Sequence, residues 1–466
     1  MRKECIIVIT LLLMSCSVGP DYHKPTLYSD DSLRKSIGLK ANSSTQISRD
    51  WYTQFNDSIL NRLIDYALSH SPNVNISVQR LREARSNWRI SRVNNLPMFN
   101  ADGNYNYNKT SRALGYTISP DYYQSGLDAT WELDIWGGGR RQSENALALA
   151  EAAASSLRNV QVSLTAEVAT NYIMLRTMQE QIRIARQNLQ LQEDIFATIS
   201  AKRQYGLADE VSYKQAEYTV ENTRSQIPEL QKQAEVYANS LTILLGKLPH
   251  SLDNMLQPKK NNLIRRRFDY DLQQLYDLPI SLVRERPDVR IAEHKLHADN
   301  ALVGAAIAEL YPNFSLSGFI GWQAPEISGL VSRDSYGYSY TPAIKLPIFH
   351  WGQLQNRIEQ QKASTLASFF SYQNAVLNAV AEVKNSIVSV HEEYQKNKSS
   401  YKAAQAQKIA SELMLEKYKN GLVEFSDVMI SQQQRLNAQE QLVASNSQIY
   451  LDLITFYKSI GGGYSY

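Results

Sequence analysis

At 466 residues the chain has room for roughly two to four ordinary domains, yet no Pro/Gly/Ser linker divides it. Its 49 basic and 46 acidic residues nearly balance, which removes the cationic footprint of a nucleic-acid binder. Many of its 28 tyrosines fall in two short Tyr/Gly/Ser/Asn stretches instead of spreading through a core.

Residues 1–15 read as an export signal, with Arg2 and Lys3 ahead of the apolar run Ile6–Met14. That run is far short of the ~20 residues that a spanning helix needs. Leu13-Met14-Ser15-Cys16 has the form of a lipobox, so Cys16 is the expected acylation site. Cys5 leaves with the signal, and a single remaining cysteine offers no disulfide framework. Apart from the lipid on Cys16, no cofactor or metal is expected. Residues 16–56 form the lipidated N-terminal segment.

A tandem duplication organises the rest. Pro72-Asn73-Val74 recurs as Pro287-Asp288-Val289, Trp136-Gly137 as Trp351-Gly352, and Gly206-Leu207 as Gly421-Leu422. Each pair is separated by the same 215 positions, as in 287 − 72 and 421 − 206. The copies span 57–246 and 271–461, with an insert at 247–270 and a tail at 462–466.

Each copy reads as helix, two strands, long helix, turn, helix. Helices are expected over Pro72–Asn95 and Ser143–Tyr205 and then to Leu245; in the second copy over Pro287–Leu310, Gln355–Asn420 and Phe425–Ile460. The long helix would extend about 95 Å at 1.5 Å per residue, more than a globular core accommodates. Gly206 and Gly421 stand where a left-handed helix C-cap belongs.

Strands are expected at 99–108 and 122–135, and again at 313–323 and 336–348. In the first copy the odd positions are apolar or aromatic, among them Phe99, Tyr105, Leu127, Trp131 and Leu133, while amides and acids alternate with them. In the second copy Phe314, Leu316, Ile320, Tyr338 and Ile344 occupy even positions, as an odd offset requires if one face is kept. Alternation over ~10 aromatic-rich residues is the signature of a membrane-spanning barrel strand. This places Leu133 toward lipid and Asp134 toward the lumen. Four strands cannot close a barrel, and three copies would give twelve, enough for a channel. Trp131, Trp136, Trp322 and Trp351 are then membrane-interface aromatics.

Taken together, the lipobox with Val18-Gly19-Pro20-Asp21-Tyr22, Trp131-Glu132-Leu133-Asp134-Ile135-Trp136-Gly137, Arg286-Pro287-Asp288-Val289-Arg290, Tyr311-Pro312 and Gly421-Leu422-Val423 resemble the TolC-like outer membrane factors. The similarity is to the NodT-type lipoproteins that serve resistance-nodulation-division pumps. It implies an α+β membrane protein: one subunit of a homotrimeric, twelve-stranded outer-membrane barrel, continued by a long periplasmic α-helical barrel with an equatorial belt. The implied function is passive export of drugs or other small toxic solutes, in partnership with a periplasmic adaptor and an inner-membrane transporter. Gly206, Leu207, Ala208, Gly421, Leu422 and Val423 become adaptor-contacting tips. Asp209, Glu210, Glu424, Asp427, Lys419, Tyr205 and Tyr418 become the periplasmic gate, with Lys419 and Arg203 as latch cations. Where such proteins often carry an acid inside each inner-tip helix, this chain has Ser212 and Ile430.

Competing chemistry is thin. His294 and His297 beside Glu293 read as a solvated helix face more readily than as metal ligands. Gly137-Gly138-Gly139 lacks the Lys-Ser/Thr of a phosphate loop and reads as a flexible strand-to-helix join. No nucleophile–base pair stands at catalytic spacing, so no enzyme is expected. The alternative function is a lipid-anchored periplasmic coiled-coil scaffold, which would leave the four alternating segments without a role.

Overall fold

The computed structural model describes residues 17–40, 48–107, 121–259, 261–266 and 271–463. Cys16 and the last residue of the first expected strand, Asn108, lie outside the described residues. The chain forms α1 (Asp30–Ile37), α2 (Ser58–His70), α3 (Pro72–Val93), β1 (Met98–Asn106), β2 (Tyr122–Leu133), α4 (Gly138–Gln204) and α5 (Glu210–Leu244). Short helices α6 (Asp253–Leu256) and α7 (Ser281–Arg284) follow. Then come α8 (Pro287–Ala308), β3 (Asn313–Ala324), β4 (Tyr336–Lys345), α9 (Gln353–Lys419) and α10 (Phe425–Ser459). Helix boundaries repeat at the same offset in both copies, as in 353 − 138 and 459 − 244. The long helices have 67 residues each, about 100 Å of helix.

Among the described residues two compact units cut across the sequence copies: one falls within 17–25, 79–155 and 290–374, the other within 26–78, 156–289 and 375–463. The first unit carries the sheet, four antiparallel strands in the order β1-β2-β3-β4. Two strand ends differ from the alternation pattern. β4 stops at Lys345, where its partner begins at Asn313, so Leu346–Ile348 have no ladder to join. β2 stops at Leu133, and Asp134 turns away from the strand to cap α4. Its carboxylate accepts from the N–H groups of Gly139 and Arg140 at 3.0 and 2.8 Å and pairs with the Arg140 side chain at 3.2 Å.

This corrects two expectations. Asp134 is not a lumenal strand residue, and Gly138-Gly139 are the first turn of a helix instead of a loose join. The cause is the set of N–H groups that a helix start leaves without intrahelical partners, to which a carboxylate is drawn by hydrogen bonding and the dipole together. Asp134→Ala is expected to destabilise the fold by about 1–2 kcal/mol, read as an earlier heat-induced loss of the assembled form. An unchanged transition would contradict the capping role.

In the same unit residues 17–25 lie as a strap over α4 and α8. The Val18 N–H donates to Trp136 O at 3.0 Å, and the Asn300 amide donates to Pro20 O at 3.2 Å. Buried Arg141 donates to Asp21 Oδ1 at 2.7 Å and to Glu144 at 2.8 Å. Tyr22 stacks on His297 with ring centroids 4.3 Å apart. Gly19 (φ +90°) passes so close to Gly304 that a Cβ on it would meet the Gly304 Cα at 2.4 Å.

The second unit is a helical bundle with a polar-capped aromatic core. Trp51 stacks on Tyr457 at 4.9 Å, and Phe55 meets Tyr450 edge-on at 5.1 Å. Asp57 caps α2 and also accepts from the Tyr172 hydroxyl at 2.8 Å. Helix ends pack alike in both copies: Gly246 sits against Pro72, and Gly461 against Pro287. Each proline opens a helix, where its missing N–H is no loss. The insert is tied down as well, Asn446 donating to Ile264 O at 2.8 Å.

Candidate functional site

The strand register fixes which residues share a face of the sheet. Phe99 opposes Ala129, Leu127 opposes Ala101 and Ile320, Trp131 opposes Leu316, Ile320 opposes Tyr338, and Trp322 opposes Tyr336. Directly opposed residues lie on one face. One face is therefore apolar and aromatic across all four strands, and the odd-to-even change between copies is a property of the register. The other face carries Asn100, Asp102, Asn104, Gln124, Asp128, Thr130, Ser317 and Gln323. Asn100 donates to Asp128 at 3.2 Å across it.

Phe319 is the exception on the polar face. It lies over a cross-strand glycine pair, since a Cβ on Gly126 or Gly321 would meet the Phe319 ring at 2.7 or 2.8 Å. Period-two counting hid it, because the same rule assigns that position to a polar residue. Bare glycines leave backbone that an aromatic ring covers.

The four tryptophans divide. Trp131 and Trp136 are half-buried and donate their indole N–H to Asn95 O at 3.0 Å and Pro312 O at 2.8 Å. Trp322 is on the apolar face, and Trp351 is 88% exposed beside Phe349 at 4.6 Å. The indoles of Trp131 and Trp136 brace the strand–helix junctions, so Trp322 and Trp351 are the exposed members of these four.

At the opposite ends of the long helices, Gly206 (φ +69°) and Gly421 (φ +72°) close matching turns. The Leu207 N–H donates to Lys202 O at 2.8 Å, and the Leu422 N–H donates to Lys417 O at 3.0 Å. A Cβ would meet nothing near either glycine, so the positive φ alone requires this residue. Tyr205, Leu207 and Leu422 are exposed, whereas Ala208 and Val423 are half-buried.

Asp209 is the N-cap of α5. Its Oδ1 accepts the Ser212 N–H at 2.8 Å, and those hydrogen bonds hold its carboxyl below the usual range. Glu210 pairs with Arg203 at 2.7 Å, and the Arg203 guanidinium also lies 4.2 Å from the Tyr213 ring centre. Glu424 occupies the matching N-cap of α10 without a side-chain cap hydrogen bond; Asp427, in the first turn, is exposed, as is Lys419 at the end of α9. Lys202 crosses between the tips, its ammonium 4.6 Å from the Tyr418 ring centre.

Beneath these charges lies an apolar knot that sequence reading missed. Ile199 of α4, Ala216 of α5 and Phe425 of α10 are buried together, with Phe196, Tyr213, Tyr418 and Met429 packed around them. Four helix ends from both copies thus meet at one point. The histidine cluster is spoken for by carboxylates: His294 contacts Glu151 at 3.1 Å and His297 contacts Glu144 at 2.9 Å. Burial is the main effect on His294 and pushes its pKa down.

A sheet with one apolar and one polar face, in a chain whose long helices end in paired turns, is the arrangement that a subunit of a membrane channel requires. The chain belongs to the outer membrane efflux protein family, whose profile matches residues 63–247 and 278–462, one copy after the other. Nodulation protein T of Rhizobium leguminosarum bv. viciae is 28% identical, covering 98% of this chain and 93% of that protein. Outer membrane protein OprJ of Pseudomonas aeruginosa is 26% identical over 100% of this chain and 97% of its own length. The outer-membrane channel OprN has a solved structure that superposes with a TM-score of 0.87 at 30% identity, covering 96% of this chain and 99% of that one. The Campylobacter jejuni CmeC channel shares the fold, with a TM-score of 0.85 at 23% identity. This chain is an outer-membrane component of an efflux system, and its helices extend into the periplasm. Among the described residues no helix is long and apolar enough to cross a membrane.

Proposed function

We propose that three copies close their sheets into a twelve-stranded barrel and their helices into a periplasmic tunnel, with residues 16–56 and 247–270 in an equatorial belt. The observation that carries this reading is the four-stranded sheet itself. Its outer strands β1 and β4 have one ladder each, and an unpaired edge is inadmissible in lipid. Strands of 9–12 residues match a tilted membrane crossing. Solutes then pass down the polar-faced lumen without a catalytic step. An inner-membrane transporter supplies them, and a periplasmic adaptor docks on Gly206–Ala208 and Gly421–Val423. Acyl chains on Cys16 add a second membrane attachment, which makes release slower than either attachment alone.

The relatives differ in cargo, one being named a toluene efflux protein and another a cation efflux protein. Small toxic solutes are accordingly the proposed cargo class. Planar-bilayer conductance together with a heat-modifiable trimer band tests the reading. A monomeric protein that conducts no current would return it to a lipid-anchored scaffold.

The gate is proposed to combine the acids after each turn with Tyr205 and Tyr418. Rings of carboxylates favour cations through local potential. Glu424→Gln with Asp427→Asn is expected to lower cation preference, read as a shift in reversal potential under a salt gradient. If the potential and conductance stay put, these acids act only on the helix dipole, an effect of about 0.3–1 kcal/mol. Tyr205, Tyr418 and Leu422 would then carry the constriction alone.

A further inference from the structure

In the second unit a groove of about 820 Å³ runs between α4, α5 and the segment 253–265. Its floor is apolar, made by Leu175 and Ile182 of α4, Ala234 and Ala238 of α5, and Leu256. Its rim is cationic. Arg183 and Arg265 each contact buried Glu180 at 2.5 Å, which places both guanidinium groups at the groove. Arg186 and Lys259 line the same groove, are exposed, and make no ion pair among the described residues. The acids facing them are Glu235 and Asp253, the latter 3.2 Å from His250.

The groove's loop wall is fastened from behind. Arg176, 1% exposed, donates to Leu256 O at 3.3 Å and Gln257 O at 2.8 Å; Gln179 donates to Leu256 O and Asn262 to Arg176 O, both at 2.7 Å. The Nε and Nη2 atoms of Arg176 have no hydrogen-bond partner among the described residues. A buried cation therefore stands behind the wall, where its field is screened less than that of a surface charge.

We propose that this groove binds an acidic peptide segment of a periplasmic partner protein. Its carboxylates meet Arg186, Lys259 and the Arg183–Arg265 pair, and its apolar side chains lie on the Leu175–Ile182 floor. An acidic glycan would leave that floor uncovered, and a wholly apolar segment would strand the cations without water or a counter-charge. Gln187, Gln190 and Gln231 line the same groove and offer donors and acceptors to a peptide main chain. The inference rests on the periplasmic placement of the helices and is independent of the gate.

The test uses the full-length protein in detergent and fluorescence anisotropy of a labelled peptide alternating glutamate and leucine. Binding should weaken with salt and fall about tenfold in the double variant Arg186→Glu with Lys259→Glu. A lysine–leucine peptide should not bind. Should charge reversal impair folding, Arg186→Gln alone is expected to weaken binding about threefold. Single-channel conductance is read alongside, and lost binding with conductance intact supports a site separate from the pore. Equal binding by parent and variant, or binding of polyglutamate and a uronic-acid polymer as tight as that of the peptide, would overturn the proposal.

Discussion

Leu127→Arg should largely abolish assembly of the barrel, whereas Gln124→Arg should leave it standing. Leu127 is opposite Ala101 on one side and Ile320 on the other, in the middle of the apolar face. Gln124 is opposite Asn104 and Gln323 on the polar face, in the same strand. An arginine facing lipid near the midplane costs about 2–4 kcal/mol, and much less nearer the membrane interfaces. In a closed trimer the substitution occurs three times, so the cost accumulates in a fold whose net stability is itself only about 5–15 kcal/mol. The ratio of trimer to monomer in membranes, with and without heating, measures the difference. Equal yields for the two variants would mean that the face assigned to lipid is wrong.

The alternating residues do share one face of the sheet, and the reason they do marks what sequence reading reaches. Strand alternation, the 215-residue offset and the two turn glycines are local or periodic properties, and each survives translation into three dimensions unchanged. Gly206 and Gly421 had to be glycine because φ is positive there, and that demand is written in the residue itself. Asp134 shows the limit. Alternation continues through it, but a helix beginning four residues later draws its carboxylate out of the strand. A pattern of period two contains no information about where the ladder ends.

Long-range meetings were less legible still. Phe319 covers Gly126 only because β2 and β3 pair across about two hundred residues. Arg141 belongs to no motif or period in the sequence, yet it organises the strap through Asp21 and the carbonyl oxygens of Val18 and Gly19. At the tips, acids next to a glycine turn are the visible feature, and nothing in the sequence marks Lys202 or the burial of Phe425. A cation three residues before a turn has no signature until the ring beneath it is placed, and that ring, Tyr418, comes from the other copy.

Phe425→Ala is the substitution expected to affect the gate most, more than neutralising any acid near it. Phe425 is the first residue of α10, 6% exposed, with its ring centroid 5.8 Å from that of Tyr418. Removing a buried phenylalanine typically costs about 3–5 kcal/mol. A helix tip next to solvent opens locally before the rest of a fold does, so the loss should appear as separation of the tips while the barrel persists. Tyr418 would lose its neighbour, and with it the platform on which the Lys202 ammonium rests, a contact of about 0.5–1 kcal/mol at an exposed site. The measurable result is a higher single-channel conductance and more frequent open events in the variant, with an unchanged heat-modifiable trimer band. Phe425→Leu, which keeps most of the buried volume, should fall between parent and alanine variant. The alternative is that the tips are held apart or together by surface charge, in which case Phe425→Ala would leave conductance at the parental value and Lys202→Gln would change it instead. That pair of results would move the latch from the apolar knot to the ions around it.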